Sequence, residues 1–245
     1  MNKIIFLVYR DLKNIIKTKG FWSGFLISLL YISIWIICKP KSFNELTYQY
    51  EYFRIVLFIF IYYSSVLLSR EFSLGTSKTL FTGAFGRLEI IWEKIIVFLH
   101  IGLMFAIFSR LLGLFFSYWV NGYVNFSELF SIRTIQAILI YLLISFVIGS
   151  FGLLMASITT SFRRTLVINV NVFGIIQYFI PIFIFMNFQD KVNVVFQIVT
   201  KIPQYIILDW TARWTINGIE SLTMLLWGSI FLISTLTIIN RRSLR

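Results

Sequence analysis

Long apolar runs, separated by short polar segments, dominate the pattern of this chain. Six such runs cover residues 21–38, 52–69, 95–120, 134–160, 165–188 and 221–240. Each holds about 18 residues or more, and a helix of that length crosses a hydrocarbon core of about 30 Å at a rise of about 1.5 Å per residue. The pattern therefore predicts an all-α membrane protein with six transmembrane helices.

The first 20 residues show a different pattern, in which apolar positions recur with the period of a helix. At about 100° per residue, one arc of this helix carries Ile4, Ile5, Val8, Leu12, Ile15 and Ile16. The opposite side carries Lys3, Arg10, Lys13, Asn14 and Lys17. We expect residues 1–20 to form an amphipathic helix that rests on the cytoplasmic lipid surface. A lever that packs against a partner is the alternative.

Composition favours one membrane-embedded domain over residues 1–245. The chain is 58% hydrophobic and only 13% charged, whereas a soluble domain of this length needs more charged residues to cover its surface. The six runs also leave too little chain for a separate domain. Two connecting segments stand out: residues 70–94, expected in the cytoplasm, and residues 189–220, expected to be extracellular or re-entrant.

Charge sets the expected orientation. The chain has 22 Lys and Arg against 10 Asp and Glu, which gives a net charge of +12. In a membrane protein such an excess is typical of cytoplasmic loops, so we predict no nucleic-acid partner. With both termini inside, fourteen basic residues lie in the cytoplasm, seven lie outside and Arg110 lies within the third run. We therefore expect a multi-pass protein of the cell membrane with both termini cytoplasmic.

The residue types that most catalytic sites need are scarce. Cys38 is the only cysteine and His100 the only histidine, and no Gly-Lys-Ser/Thr sequence occurs. An internal disulfide and a nucleotide-binding P-loop are thereby excluded. An intramembrane protease or lipid transferase is disfavoured, because His100 has no Gly-x-Ser-x-Gly partner. We predict no catalytic, cofactor-binding or metal-binding residues and no enzymatic activity of the chain alone.

The segment 70–94 has an unusual order of charged, glycine and threonine residues. The pattern Glu-x3-Gly-Thr-x3-Leu-x6-Arg-x2-Ile-x3-Lys is formed by Glu71, Gly75, Thr76, Leu80, Arg87, Ile90 and Lys94. We interpret it as a short helix along the membrane surface, with glycines where the chain bends back toward the bilayer. A structural loop without a further role is the alternative.

This order resembles the permease subunits of ABC type-2 transporters, and the layout of the whole chain is similar to theirs. In that family the segment forms a coupling helix that contacts a separate ATPase, which binds the ATP and Mg²⁺. The resemblance implies ATPase-coupling roles for Arg70, Glu71, Leu74, Gly75, Thr76, Lys78, Thr79, Leu80 and Arg87. It also implies a homodimer or a pair with a sister permease. Ala84-Phe85-Gly86-Arg87 departs from the Pro-x-Ser-Arg sequence that the family often has there.

Few polar residues interrupt the apolar runs. Asn169 and Gln177 share one side of the fifth run and are candidates for lining a transport path, with interhelical hydrogen bonding as the alternative. Arg110 is expected to extend its side chain to the outer interface, with a path-lining contact as the alternative. A stripe of small residues in the fourth run predicts close helix packing. Its members are Ser145, Gly149, Gly152 and Ala156.

An apolar path without carboxylates favours amphipathic cargo over small ions or charged sugars. Among ABC type-2 permeases, the chain is similar to those that export amphipathic toxin peptides, such as phenol-soluble modulins, or that confer resistance to antimicrobial peptides. The expected partners are thus an ABC ATPase, a second permease, membrane lipids and an amphipathic peptide. Two alternatives stay open: export of lipid-linked or cell-wall glycan, and a stand-alone membrane immunity protein that binds a peptide.

Overall fold

The computed structural model describes residues 2–38, 45–73, 86–121, 126, 130–176, 179–180 and 194–241. Within these residues every regular element is helical. The helices are α1 (Asn2–Ile16), α2 (Lys19–Cys38), α3 (Glu45–Ser73), α4 (Arg87–Asn121), α5 (Ile132–Thr159), α6 (Phe162–Asn169), α7 (Val194–Val199), α8 (Pro203–Arg213) and α9 (Gly218–Arg241). A π-helical segment, Val170–Ile176, continues α6. The predicted all-α class is confirmed.

Four of the described helices are long and apolar enough to cross a membrane. The candidate spans are Gln49–Ser73 within α3, Arg87–Phe115 within α4, the whole of α5 and the whole of α9. A fifth crossing results if α1 and α2, which meet at an angle of 61°, are taken as one broken span. Because α1 is the amphipathic member of this pair, α2 supplies the apolar part of that span. The chain is therefore a helical membrane protein with four or five candidate spans in its described part.

The fifth predicted span, residues 165–188, falls partly outside the described residues. The run 165–188 begins as α6, changes to the π-helical segment after Asn169, and is described only as far as residue 176 and at residues 179–180. A π-helix widens the backbone turn and appears mostly as a short insertion in α-helices. A count of six spans stays a prediction.

Two helices extend well beyond the apolar runs that predicted them. Helix α3 has 29 residues and α4 has 35, and α4 begins eight residues before its apolar run. At about 1.5 Å per residue, 35 residues are longer than a hydrocarbon core of about 30 Å, so one or both ends project from it. The extra turns at the end of α3 and the start of α4 carry charged side chains that pair with each other, as described below.

Helix α5 is at the centre of the bundle and packs against α3, α4, α6 and α9. Small residues make these contacts close. A Cβ atom on Gly152 would lie 2.6 Å from the backbone oxygen of Ser64 in α3, and one on Gly149 would overlap the Phe98 ring of α4. The predicted role of the small-residue stripe in close packing is confirmed.

The segment 189–220 includes two short helices, of which α8 packs against α3, α5 and α9. Buried Trp210 donates from Nε1 to Glu220 Oε2 at 2.6 Å, which joins α8 to the start of α9. Trp214 follows α8 with a left-handed backbone (φ 51°) and stacks on Tyr141 at 5.8 Å. Helix α8 therefore covers the end of the bundle where α3, α5 and α9 begin.

Candidate functional site

Contacts between helix ends define two opposite faces of the bundle. Asp11 of α1 and Glu71 at the end of α3 both lie beside Lys94, near the start of α4. Two turns earlier on α4, Arg87 contacts the end of α9. We call this end, which also includes the end of α5 and the start of α6, the basic face. Helix α1 and the end of α9 thus lie at the basic face, and α8 lies at the opposite face.

Basic side chains are concentrated on the basic face. Its described basic residues are Arg10, Lys13, Lys17, Lys19, Arg70, Arg87, Lys94, Arg163, Arg164 and Arg241. Those on the opposite face are Arg54, Arg133, Lys201 and Arg213. Orientation with the basic face in the cytoplasm stays a prediction from these residues.

Lys94 is the centre of a buried ionic cluster at this face. Its side chain is only 1% exposed, and its Nζ pairs with Asp11 Oδ2, with Glu93 Oε2 at 3.2 Å and with Glu71 Oε1 at 3.9 Å. We call these four residues the Lys94 cluster. Arg10 Nε adds a contact of 3.2 Å to the other oxygen of Asp11. The cluster joins α1, α3 and α4 through a single ammonium group.

Electrostatics holds Asp11 in its charged form. Burial alone would raise the pKa of its carboxyl, but the ammonium of Lys94 and the guanidinium of Arg10 outweigh this and hold that pKa below its usual value. An ammonium among carboxylates is stable in such a place only while its partners stay close. The cluster therefore favours one relative position of α1, α3 and α4.

Arg87 connects the same region to α9. Its Nη1 donates to the backbone oxygens of Ile239 at 2.7 Å and Asn240 at 3.1 Å. The last carbonyls of a helix have no partner within it and carry partial negative charge, so a guanidinium stabilises them. The start of α4 is itself capped, because the Gly86 N–H donates to Glu89 Oε2 at 2.9 Å.

Helix α1 is amphipathic. One of its sides packs against α4 of the same chain, and the opposite side is exposed. Two members of the predicted apolar arc, Val8 and Ile15, are buried against the protein, and so is Leu7, which lies outside that arc. Ile5, another member of the arc, is 59% exposed, as is its neighbour Phe6 at 63%. The side of α1 that packs on the bundle therefore coincides only partly with the apolar arc, because Asp11 also faces inward to pair with Lys94.

Most of the predicted coupling residues lie outside the described part of the chain. These are Leu74, Gly75, Thr76, Lys78, Thr79 and Leu80. Arg70 is described and exposed in the last turn of α3, next to Glu71 in the Lys94 cluster. The structure thus brings together Glu71 and Lys94 and places Arg87 two turns away. The sequence analysis did not identify Asp11 or Glu93 as members of a site. Asp11 is the single acid in a basic helix, and Glu93 forms an acid-base pair with Lys94 at the start of an apolar run, so each had a signal in the sequence.

Two of the three candidate path-lining residues make interhelical hydrogen bonds. Buried Asn169 donates from Nδ2 to the hydroxyls of Ser64 at 3.2 Å and Ser65 at 2.7 Å in α3. Arg110 is 7% exposed and donates from Nε to Thr134 Oγ1, near the start of α5, at 3.0 Å; its predicted extension to the outer interface stays a prediction. Gln177 lies outside the described residues. Of the two readings of Asn169, the hydrogen-bonding one therefore has direct support.

We expect Asn169→Leu to lower stability in detergent by about 0.6–1.7 kcal/mol, the range for interhelical hydrogen bonds in membranes. Asn171→Leu is the matched control, because Asn171 is exposed and bonds only to Val167 of its own helix. Melting temperatures of both variants measure the effect. Equal values for the Asn169 variant and the wild type would contradict a stabilising role for these bonds.

No group of three or more His, Cys, Asp or Glu side chains within the described ranges has an arrangement suited to a metal ion. In the Lys94 cluster the ammonium occupies the place between the carboxylates. The cluster thus connects α1, α3 and α4 through ion pairs. Comparison with known proteins yields no matching family model and no matching curated protein.

Proposed function

We propose that this chain is the membrane-spanning permease subunit of an ABC type-2 transporter that exports amphipathic peptides. A separate ATPase binds the segment 70–87 at the basic face and supplies the energy, with ATP and Mg²⁺ held by that partner. The chain contains no Gly-Lys-Ser/Thr sequence of its own. A second permease, either identical or a sister subunit, completes the assembly.

One observation carries this proposal: the segment between α3 and α4 is tied at both ends to four helices. Before it, Glu71 contacts Lys94, which also holds Asp11 of α1. After it, Arg87 holds the end of α9. A displacement of the flanking turns at Glu71 and Arg87 would therefore act on α1, α3, α4 and α9 together. A segment that couples an ATPase to the membrane helices needs connections of this kind, because coupling is carried by contiguous packed elements.

The proposed cargo follows from the character of the helices. The described spans are predominantly apolar, and their buried polar side chains Asn169 and Arg110 are engaged by neighbouring helices. A surface of this kind suits a peptide with an apolar side better than a small ion. Export of lipid-linked or cell-wall glycan is the second candidate cargo.

Association with an ATPase is tested by replacing residues 74–85 with a Gly/Ser sequence of equal length. We expect the variant to insert and fold but to recover at least ten-fold less ATPase on purification from native membranes. The matched control is a Gly/Ser replacement of equal length at residues 39–44, which connect α2 to α3. Equal recovery of ATPase with both variants would refute the coupling role. If the wild-type chain itself recovers no ATPase, the alternative of a stand-alone immunity protein is favoured.

Residue Glu71 itself is unsuited to this experiment. Its carboxylate lies 3.9 Å from Lys94, so Glu71→Arg would place a second cation in the Lys94 cluster and disturb folding. Arg70→Glu is the better single variant, because Arg70 is exposed in the same helical turn. We expect it to weaken ATPase recovery while leaving the melting temperature unchanged.

A further inference from the structure

Two open grooves lie at the basic face, each beside the last turn of α5. The first, about 430 Å³, is lined by Ser157, Ile158, Ile238 and Arg241. The second, about 360 Å³, is lined by Thr159, Arg163, Arg164, Val167 and Ile168. Each groove includes a residue near the end of α5, Ile158 in the first and Thr159 in the second. Neither groove involves the Lys94 cluster or the segment 70–87.

Each groove combines exposed arginines with an apolar wall. Arg163, Arg164 and Arg241 are exposed, and within the described ranges their side chains make no ion pair or hydrogen bond. Arg163 and Arg164 also lie in the first turn of α6, where a helix disfavours cations. Three guanidinium groups without a described acid therefore favour an anionic ligand.

The apolar wall distinguishes between anions. Ile158 is 54% exposed and Val167 is 60% exposed, and both belong to helices of the membrane-embedded bundle. The grooves thus open toward lipid where α5 and α9 end, at the boundary between hydrocarbon and headgroups. A free phosphate would contact the arginines and leave this wall uncovered. A phospholipid supplies both a phosphate and the acyl chains that cover the wall.

We propose that these grooves bind an anionic phospholipid from the leaflet at the basic face. In the second groove the phosphate lies beside Arg163 and Arg164, and the acyl chains lie along Val167 and Ile168. In the first groove the phosphate lies beside Arg241, and the acyl chains lie along Ile158 and Ile238. Guanidinium groups bind phosphate oxygens through paired hydrogen bonds, and basic pockets between membrane helices are suited to anionic headgroups. Such lipids would connect α5 to α6 in one groove and α5 to α9 in the other.

The proposal is tested with purified protein in a neutral detergent, using dioleoyl phosphatidylglycerol and dioleoyl phosphatidylcholine as probes. We expect phosphatidylglycerol to bind at least ten-fold more tightly by native mass spectrometry and to raise the melting temperature. The triple variant Arg163→Gln, Arg164→Gln and Arg241→Gln should lose this preference. Arg133→Gln is the matched control, because Arg133 is an exposed arginine at the opposite end of α5 and lines neither groove.

Each contrary outcome overturns the proposal. Equal binding of the two lipids to the wild type would do so, as would an unchanged preference in the triple variant. A thermal shift of the same size with glycerol 3-phosphate would assign the site to free phosphate rather than lipid. If the triple variant without lipid has a lower melting temperature than the wild type, the three single variants are tested instead. An unchanged preference for phosphatidylglycerol in all three would also overturn the proposal.

Discussion

Lys94→Met is expected to lower the stability of the folded bundle by about 3–5 kcal/mol, the usual cost of removing one partner from a buried ion pair. Lys94 is 1% exposed and is the ammonium that Asp11, Glu71 and Glu93 share. Without it, carboxylates from α1, α3 and α4 repel each other in a place that water scarcely reaches. For a chain of this size the loss corresponds to about 10 °C in melting temperature in detergent.

Two companion variants make this result specific. Lys17→Met removes an exposed lysine just after α1 and should leave the melting temperature within about 2 °C of the wild type. Adding Asp11→Asn and Glu93→Gln to Lys94→Met should recover part of the loss, because fewer unpaired charges then remain buried. A Lys94→Met protein as stable as the Lys17→Met protein would show that the cluster does not hold α1 in place.

Gly152→Leu is expected to prevent assembly of a stable bundle. A Cβ atom at this position would lie 2.6 Å from both the backbone oxygen and the Cβ of Ser64. Backbone atoms cannot move aside as a flexible side chain can, so α3 and α5 must separate. Overpacking typically costs about 1–3 kcal/mol, and the additional leucine atoms raise the cost further because α5 contacts five other helices. The measurement is the yield of monodisperse protein after membrane extraction.

The control for this variant is another glycine. Gly218 begins α9, and a Cβ there would meet nothing within 4 Å. Gly218→Leu should therefore be extracted with a yield similar to that of the wild type. Normal yield and melting temperature for Gly152→Leu would mean that α3 and α5 are not in close contact at this point.

Local patterns predicted the helices well, because apolar runs and small-residue spacing are properties of single segments. The central apolar helix α5 was expected at residues 134–160 and is found at Ile132–Thr159. Its glycines pack as the stripe predicted, since residues three and four apart necessarily share one side of a helix.

Pairings between distant segments were not predictable. Asp11 and Lys94 are separated by 83 positions, and nothing in either local sequence identifies the other as its partner. The same holds for Arg87 and the end of α9. These pairings also explain the extra turns of α3 and α4. Glu71 and Lys94 lie just beyond the apolar runs, and the helices continue past them because the two charges pair with each other. The change to a π-helix after Asn169 likewise has no signal in apolar periodicity.

We propose that energy enters through residues 74–85 and drives amphipathic peptides across the membrane. This proposal is tested most directly by uptake of a fluorescent amphipathic helical peptide into inside-out membrane vesicles. We predict uptake that requires ATP and this chain, and that falls to the background of vesicles lacking the chain when residues 74–85 are replaced by a Gly/Ser sequence. Uptake that continues without ATP, or that is unchanged by the replacement while the altered protein is present at normal levels, would contradict the account.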